Sequence, residues 1–183
     1  MLVFSLDAVG KPAEYIRYGT VWDDVDANYQ RARRFDHVEI RVNITTSVYN
    51  VYYLPKLVSY LTDCWPDLVT WAEAIGTTID DTGKFSIRTI PVEHRLSLMQ
   101  QLTDAITRLT DSKIDWDQKA NAINAVSSMI ADLNGGEFDE VNYQRLVQYV
   151  RQMDQVKKIQ IQDRKSTRLN SSHIPLSRMP SSA

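Results

Sequence analysis

Ser5, Asp7, Arg17, Arg41, Asn43, Thr45 and Asn50 lie close together in the sequence and have the chemistry of a small-molecule site. The hydroxyl of Ser5 and the carboxylate of Asp7 accept charge-assisted hydrogen bonds, which suits a diol or an ammonium group. Arg17 and Arg41 carry the planar fork that grips a carboxylate with two parallel bonds. Asn43 and Thr45 share a strand face with Arg41, and an arginine enclosed there is costly without an anion beside it. Each residue also has a plainer role open to it. Asp7 can cap the loop after its strand. Arg41 can pair with Glu39 or Asp7, and Arg17 can form a surface ion pair. Asn50 can cap the helix that follows it.

The elements that must position these residues are legible from periodicity. Residues 2–7 read as a strand, with Phe4 and Leu6 on one face and Ser5 and Asp7 on the other. Gly10 and Pro12 mark a loop. Thr20 is the expected N-cap of a helix, with Asp23 as its capping-box partner and a stripe of Val21, Val25, Tyr29 and Ala32. Residues 38–46 give the clearest alternation in the chain: Val38, Ile40, Val42 and Ile44 against Glu39, Arg41, Asn43 and Thr45. A helix follows Asn50 with Leu54, Leu57, Val58 and Leu61 at helical spacing, and Pro55 is tolerated in its first turn. A short helix through Leu68, Val69, Ala72 and Ile75 is expected to end at Gly76. Asp80-Asp81-Thr82-Gly83 reads as a turn. Residues 85–90 are expected to form a third strand, with Ser86 and Arg88 as candidates to face a substrate.

Three helices close the chain. They start near Pro91, Asp115 and Asp139, and Gly135-Gly136 stops the second. Strands alternating with helices indicate βαβ units and a parallel sheet. A parallel sheet covered on both faces would show near-continuous apolar strands. Polar side chains at alternate positions therefore point to a barrel interior that holds something other than core, although three strands are too few to close a barrel.

Composition narrows the classes. The 183 residues are 43% hydrophobic and 24% charged, which fits a globular chain able to bury a core. A net charge of −2 gives no electrostatic case for nucleic acid or an anionic membrane. No apolar run approaches a membrane span. The lone cysteine, Cys64, excludes an internal disulfide or a cysteine-rich metal site built by this chain alone, and it fits a reducing, cytoplasmic compartment. His37 and His94 lack a second ligand at metal spacing. Asp80, Asp81, Asp115 and Asp117 read as turn and cap residues, and Trp65, Trp71 and Trp116 as packing residues. From about Arg164 the chain is rich in Ser, Pro and Arg and has no period. It reads as a disordered tail, resembles translated sequencing adapter, and is set apart from the fold.

Ser5-Leu6-Asp7-Ala8, Glu14-Tyr15-Ile16-Arg17, Trp22 to Asn28, Arg41-Val42-Asn43-Ile44-Thr45 and Asn50-Val51-Tyr52-Tyr53-Leu54 follow one another in an order and spacing that resemble the radical SAM superfamily. The likeness is to its phage and bacterial members with a short twitch-type C-terminal region. Met153-Asp154-Gln155-Val156 is a late match, and the resemblance covers about residues 2–162. It implies an α/β fold: the later half of a partial, TIM-like (β/α)6 barrel with a C-terminal helical region. The divisions expected are residues 1–110 for the half-barrel, 111–163 for the helical region and 164–183 for the tail.

The resemblance implies a cofactor pair, S-adenosylmethionine and a [4Fe–4S] cluster. Together they generate a 5′-deoxyadenosyl radical that abstracts hydrogen from a small-molecule or peptide substrate, with flavodoxin or ferredoxin as electron donor. Ser5, Asp7, Arg17, Arg41, Asn43, Thr45 and Asn50 are the residues it implies for S-adenosylmethionine. The family's Cys-x-x-x-Cys-x-x-Cys is not in this sequence, and one cysteine cannot hold the cluster. The chain is therefore expected to be a piece of an enzyme, inactive alone, with unpaired backbone groups along the outer edge of its first strand. The competing reading is a non-enzymatic α/β binding module, with Arg41 and Asn43 exposed on an open sheet and not gathered with Ser5. A nucleotide enzyme is disfavoured, because no glycine-rich turn follows a strand.

Overall fold

The computed structural model describes residues 1–65, 75–77, 83–114 and 116–156. Within them lie β1 (Leu2–Ser5), α1 (Lys11–Ile16), α2 (Trp22–Ala32), β2 (Ile40–Thr46), α3 (Leu54–Cys64), β3 (Ile75–Thr77), α4 (Val92–Asp111), α5 (Trp116–Gly135) and α6 (Glu140–Val156). The strands form one parallel sheet in the order β1-β2-β3. The fold is mixed α/β and mostly helical. The sheet is parallel, as the alternation of strands with helices indicates, but three short strands do not make the barrel wall that the family resemblance implies.

The alternation of β2 becomes alternation of burial. Ile40, Val42, Ile44 and Thr46 are buried, while Arg41, Asn43 and Thr45 are exposed. Phe4 and Leu6 lie on the buried side, against Tyr29 of α2 and the indole of Trp65, which is completely buried. Tyr29 and Trp65 stack with ring centroids 3.9 Å apart, and Phe4 meets Trp65 edge-on at 5.5 Å. Asp26 completes this cluster, accepting from the Tyr60 hydroxyl at 2.7 Å and from the Trp65 indole N–H at 2.8 Å. Two aromatic residues can thus be buried without orphaning their polar ends.

α3 places Leu54, Leu57, Val58 and Leu61 in the core, as its spacing predicts. α4 packs along both α3 and α5. Leu98, Leu102 and Leu109 of α4 are wholly buried, as are Ala122 and Val126 of α5.

The start of α2 is not capped by Thr20. Val21 occupies the N-cap position, and Glu14 reaches across from α1 to accept from the backbone N–H of Trp22 at 3.1 Å. A carboxylate gives that terminal donor a stronger partner than a hydroxyl, and it also sits at the positive end of the helix. Trp22, rather than Val21, supplies the buried residue of the first turn.

Residues 85–90 are not a strand. They form a turn and a single 3-10 segment, Ile87–Thr89. Ser86 Oγ accepts from the N–H of Arg88 at 3.2 Å, and Thr89 Oγ1 donates to the carbonyl of Ser86 at 2.7 Å. These local side-chain bonds offer the backbone an alternative to a ladder. Arg95 decides the matter. Its buried guanidinium donates to the carbonyls of Arg88 at 2.8 Å and Ile90 at 2.9 Å, taking the acceptors a neighbouring strand would need. The third strand lies instead at Ile75–Thr77, where helical spacing points to a helix end. The rest of that expected helix, the turn at 80–82 and the tail from 164 lie outside the described residues.

Arg95 also donates to the carbonyls of Leu133 at 3.1 Å and Gly136 at 2.5 Å, where α5 ends. Its charge is balanced by the negative end of that helix, in place of a carboxylate. Arg88 adds a second tie to α5 through Asp132 at 2.7 Å.

Candidate functional site

The C-terminal ends of β1 and β2 bring several of the polar residues together. Ser5 and Asn43 are direct register partners, as are Val3 and Arg41. Paired residues of a parallel ladder project to the same side, so Ser5, Arg41, Asn43 and Thr45 share one face, and all four are exposed there. Gly76 of β3 stands beside Thr45 in register and adds no side chain to that face. The opposite face is the core. The polar face is therefore open, not enclosed, among the described residues.

Asp7 and Arg17 stand just beyond the end of β1. Arg17 Nε donates to Asp7 Oδ2 at 2.5 Å, and Nη2 reaches Oδ1 at 3.4 Å. The Asp7 side chain is only 12% exposed against 46% for Arg17. The carboxylate is thus held from inside while the guanidinium keeps donors toward solvent. The chain between them turns at Gly10, just before α1, with a φ of 66° and ψ of −140° that only glycine adopts readily. Next to it, Lys11 bonds Glu14 at 2.6 Å. That bond, with the Trp22 N–H, holds the Glu14 carboxyl below its ordinary range and raises the Lys11 amine.

Arg41 is not gathered with Asp7. It lies along the open face and pairs with Glu39, its Nε donating at 2.8 Å. Asn50 is buried, and both ends of its carboxamide are engaged by backbone. Oδ1 accepts from the N–H of Ser47 at 2.7 Å, and Nδ2 donates to the carbonyl of Thr45 at 2.7 Å. It braces the exit of β2 and neither caps α3 nor faces the open surface. Ser86 caps the 3-10 segment and Arg88 lies within it, pairing with Asp132 of α5.

The sequence reading missed Glu14 as a cap, Asp26 as the acceptor for two aromatic donors, and Arg95. A charged residue within the apolar spacing of α4 was the available signal for Arg95. Two tyrosines, Tyr52 and Tyr60, have hydroxyls pushed up from the ordinary value by burial. Glu93 adds to this at Tyr52 and Asp26 at Tyr60. Among the described residues no group of three or more His, Cys, Asp or Glu is placed to hold a metal ion. Among them, too, no helix is long and apolar enough to cross a membrane. Set against protein-family models, curated proteins and solved structures, the chain matches none.

Proposed function

We propose that this chain is the later half of a radical SAM enzyme and that the open face of its sheet receives S-adenosylmethionine. The observation that carries the reading is the placement of Ser5 beside Asn43 on a face of the parallel sheet that is open among the described residues. Parallel sheets are ordinarily covered on both sides, so a polar, open face next to a fully packed one is a surface that something else completes. Ser5 and Asn43 offer a hydroxyl and an amide to a ribose diol. Arg17, steadied by Asp7, offers its free donors to a carboxylate. Thr45 extends the polar row. Arg41 and Asn50 contribute less, since Glu39 and the backbone already engage them.

S-adenosylmethionine and a [4Fe–4S] cluster, when bound, supply the radical chemistry. Cys64 cannot hold the cluster by itself, so its ligands belong to residues outside this sequence, and the substrate is a small molecule or a peptide. The chain's own part is to bind and orient the nucleoside end. The competing reading, a non-enzymatic binding module, draws support from the exposure of Arg41 and Asn43. Their gathering with Ser5 favours the first reading.

The test is a titration of the chain with S-adenosylmethionine followed by amide chemical shifts. Weak binding is expected, with Kd roughly in the millimolar range because the cluster's share of the affinity is missing. Shifts should centre on Ser5, Arg17 and Asn43. Ser5→Ala and Asn43→Ala should abolish them while changing stability by less than ~0.5 kcal/mol, as surface substitutions do. No shift at these amides at saturating ligand sinks the reading.

A further inference from the structure

We propose that Asn134 is a modification site: its side chain closes on the backbone nitrogen of Gly135 and converts, without an enzyme, to a mixture of aspartate and isoaspartate. Of the asparagines in the sequence only Asn134 precedes a glycine. The pair closes α5, Gly135 being its last residue, and both residues are exposed. Among the described residues the carboxamides of Asn50 and Asn142 are held by hydrogen bonds, and no such bond engages that of Asn134. A Cβ on the following residue would crowd the approach of the side chain to the next backbone nitrogen, and glycine has none. Nothing stands within 4 Å of the place a Cβ on Gly135 would occupy.

The step balances with water alone. The Gly135 nitrogen bonds to Asn134 Cγ, the carboxamide nitrogen leaves as ammonia with the amide proton, and a succinimide ring results. Water then opens the ring at either carbonyl. One opening leaves aspartate; the other leaves isoaspartate, whose main chain runs through Cβ. A helical backbone keeps the Gly135 nitrogen in the ladder, so the ring closes only when the last turn opens. Helix ends fray in this way and helix interiors do not. The site matters for what flanks it. The carbonyls of Leu133 and Gly136, on either side of the pair, both accept from Nη1 of Arg95, at 3.1 Å and 2.5 Å. Isoaspartate adds a main-chain atom between those acceptors, so one guanidinium nitrogen no longer spans them. Aspartate instead sets a new carboxylate at the negative end of α5. Either product weakens the packing of α5 on α4, and the chain thereby carries a limit to its own lifetime. The inference uses none of the residues proposed to meet S-adenosylmethionine.

The purified chain is incubated at mildly alkaline pH and digested, and the peptide carrying Asn134 is followed by mass spectrometry, with fragmentation to place the change. An isoaspartyl methyltransferase assay tells the two acids apart. Ammonia release is expected, with the amide-to-acid mass gain at residue 134 and isoaspartate as the major product. Gly135→Ala fits the open space and suits a helix better than glycine does. It should fold unchanged and slow the conversion at least ~10-fold, because the Cβ restores the crowding that glycine lacks. Incubated alongside it, the wild-type chain should come to unfold at the lower urea midpoint. Four outcomes overturn the proposal: an Asn134 that stays an amide, aspartate without isoaspartate, an equal rate in Gly135→Ala, or a converted chain whose urea midpoint has not moved.

Discussion

Arg95 is the residue on which the C-terminal half of the molecule turns. It is 4% exposed and donates to four carbonyls drawn from the 3-10 segment and from the end of α5. Lysine has one point charge and no fork, so it cannot span those acceptors. Arg95→Met leaves carbonyls without donors in the core, and Arg95→Lys satisfies only some of them. Losses of about 3 kcal/mol and about 2 kcal/mol are expected, measured by urea unfolding. Asp26 has the same standing under the sheet. Asp26→Ala orphans the Tyr60 hydroxyl and the Trp65 indole N–H and should cost ~1–3 kcal/mol. The near-ultraviolet circular dichroism of the stacked Tyr29 and Trp65 should weaken with it.

Among the elements, those carried by a repeated apolar spacing were legible in advance. β2, α3, α4, α5 and α6 all fall where alternation or the helical period sets them, because burial of one face dominates their energetics. What failed was decided by single side chains reaching in from a neighbouring element. Residues 85–90 alternate like a strand, but Arg95, on the following helix, takes their carbonyls. Thr20 has the right type for a cap, but it is Glu14 that accepts from the N–H of Trp22. The cap also makes a prediction about pH. The Lys11 ammonium, first, and the Trp22 N–H hold the Glu14 carboxyl below its ordinary value of 4.5, so the unfolded chain binds its proton more readily than the folded one. The resulting stability is complete above pH ~4.5 and is lost as the pH falls through the lower, folded value. Glu14→Gln should flatten that acidic limb of the stability profile, as followed by helical ellipticity, and leave the profile at neutral pH steeper nowhere else.

For the whole molecule, the governing fact is that, among the described residues, the sheet is packed on one side only. The polar character of the candidate site was readable from the alternation of Glu39, Arg41, Asn43 and Thr45 against apolar neighbours. Whether that row faced an enclosure or open solvent was not readable, because alternation gives only which residues share a face. The inner core, with Leu57, Leu61, Leu98 and Leu102 fully buried, does not depend on the open face. Substitutions there and substitutions on the open face should therefore behave as separate populations, one altering stability and the other altering binding.

The guanidinium of Arg95 is buried among backbone carbonyls, which shields its bonds from added salt. The Glu14 carboxylate takes up its proton only below its ordinary range and is partly exposed. Acid should consequently loosen the molecule from one end: the ribbon at the amino side gives way while the joint between α4 and α5 stays shut.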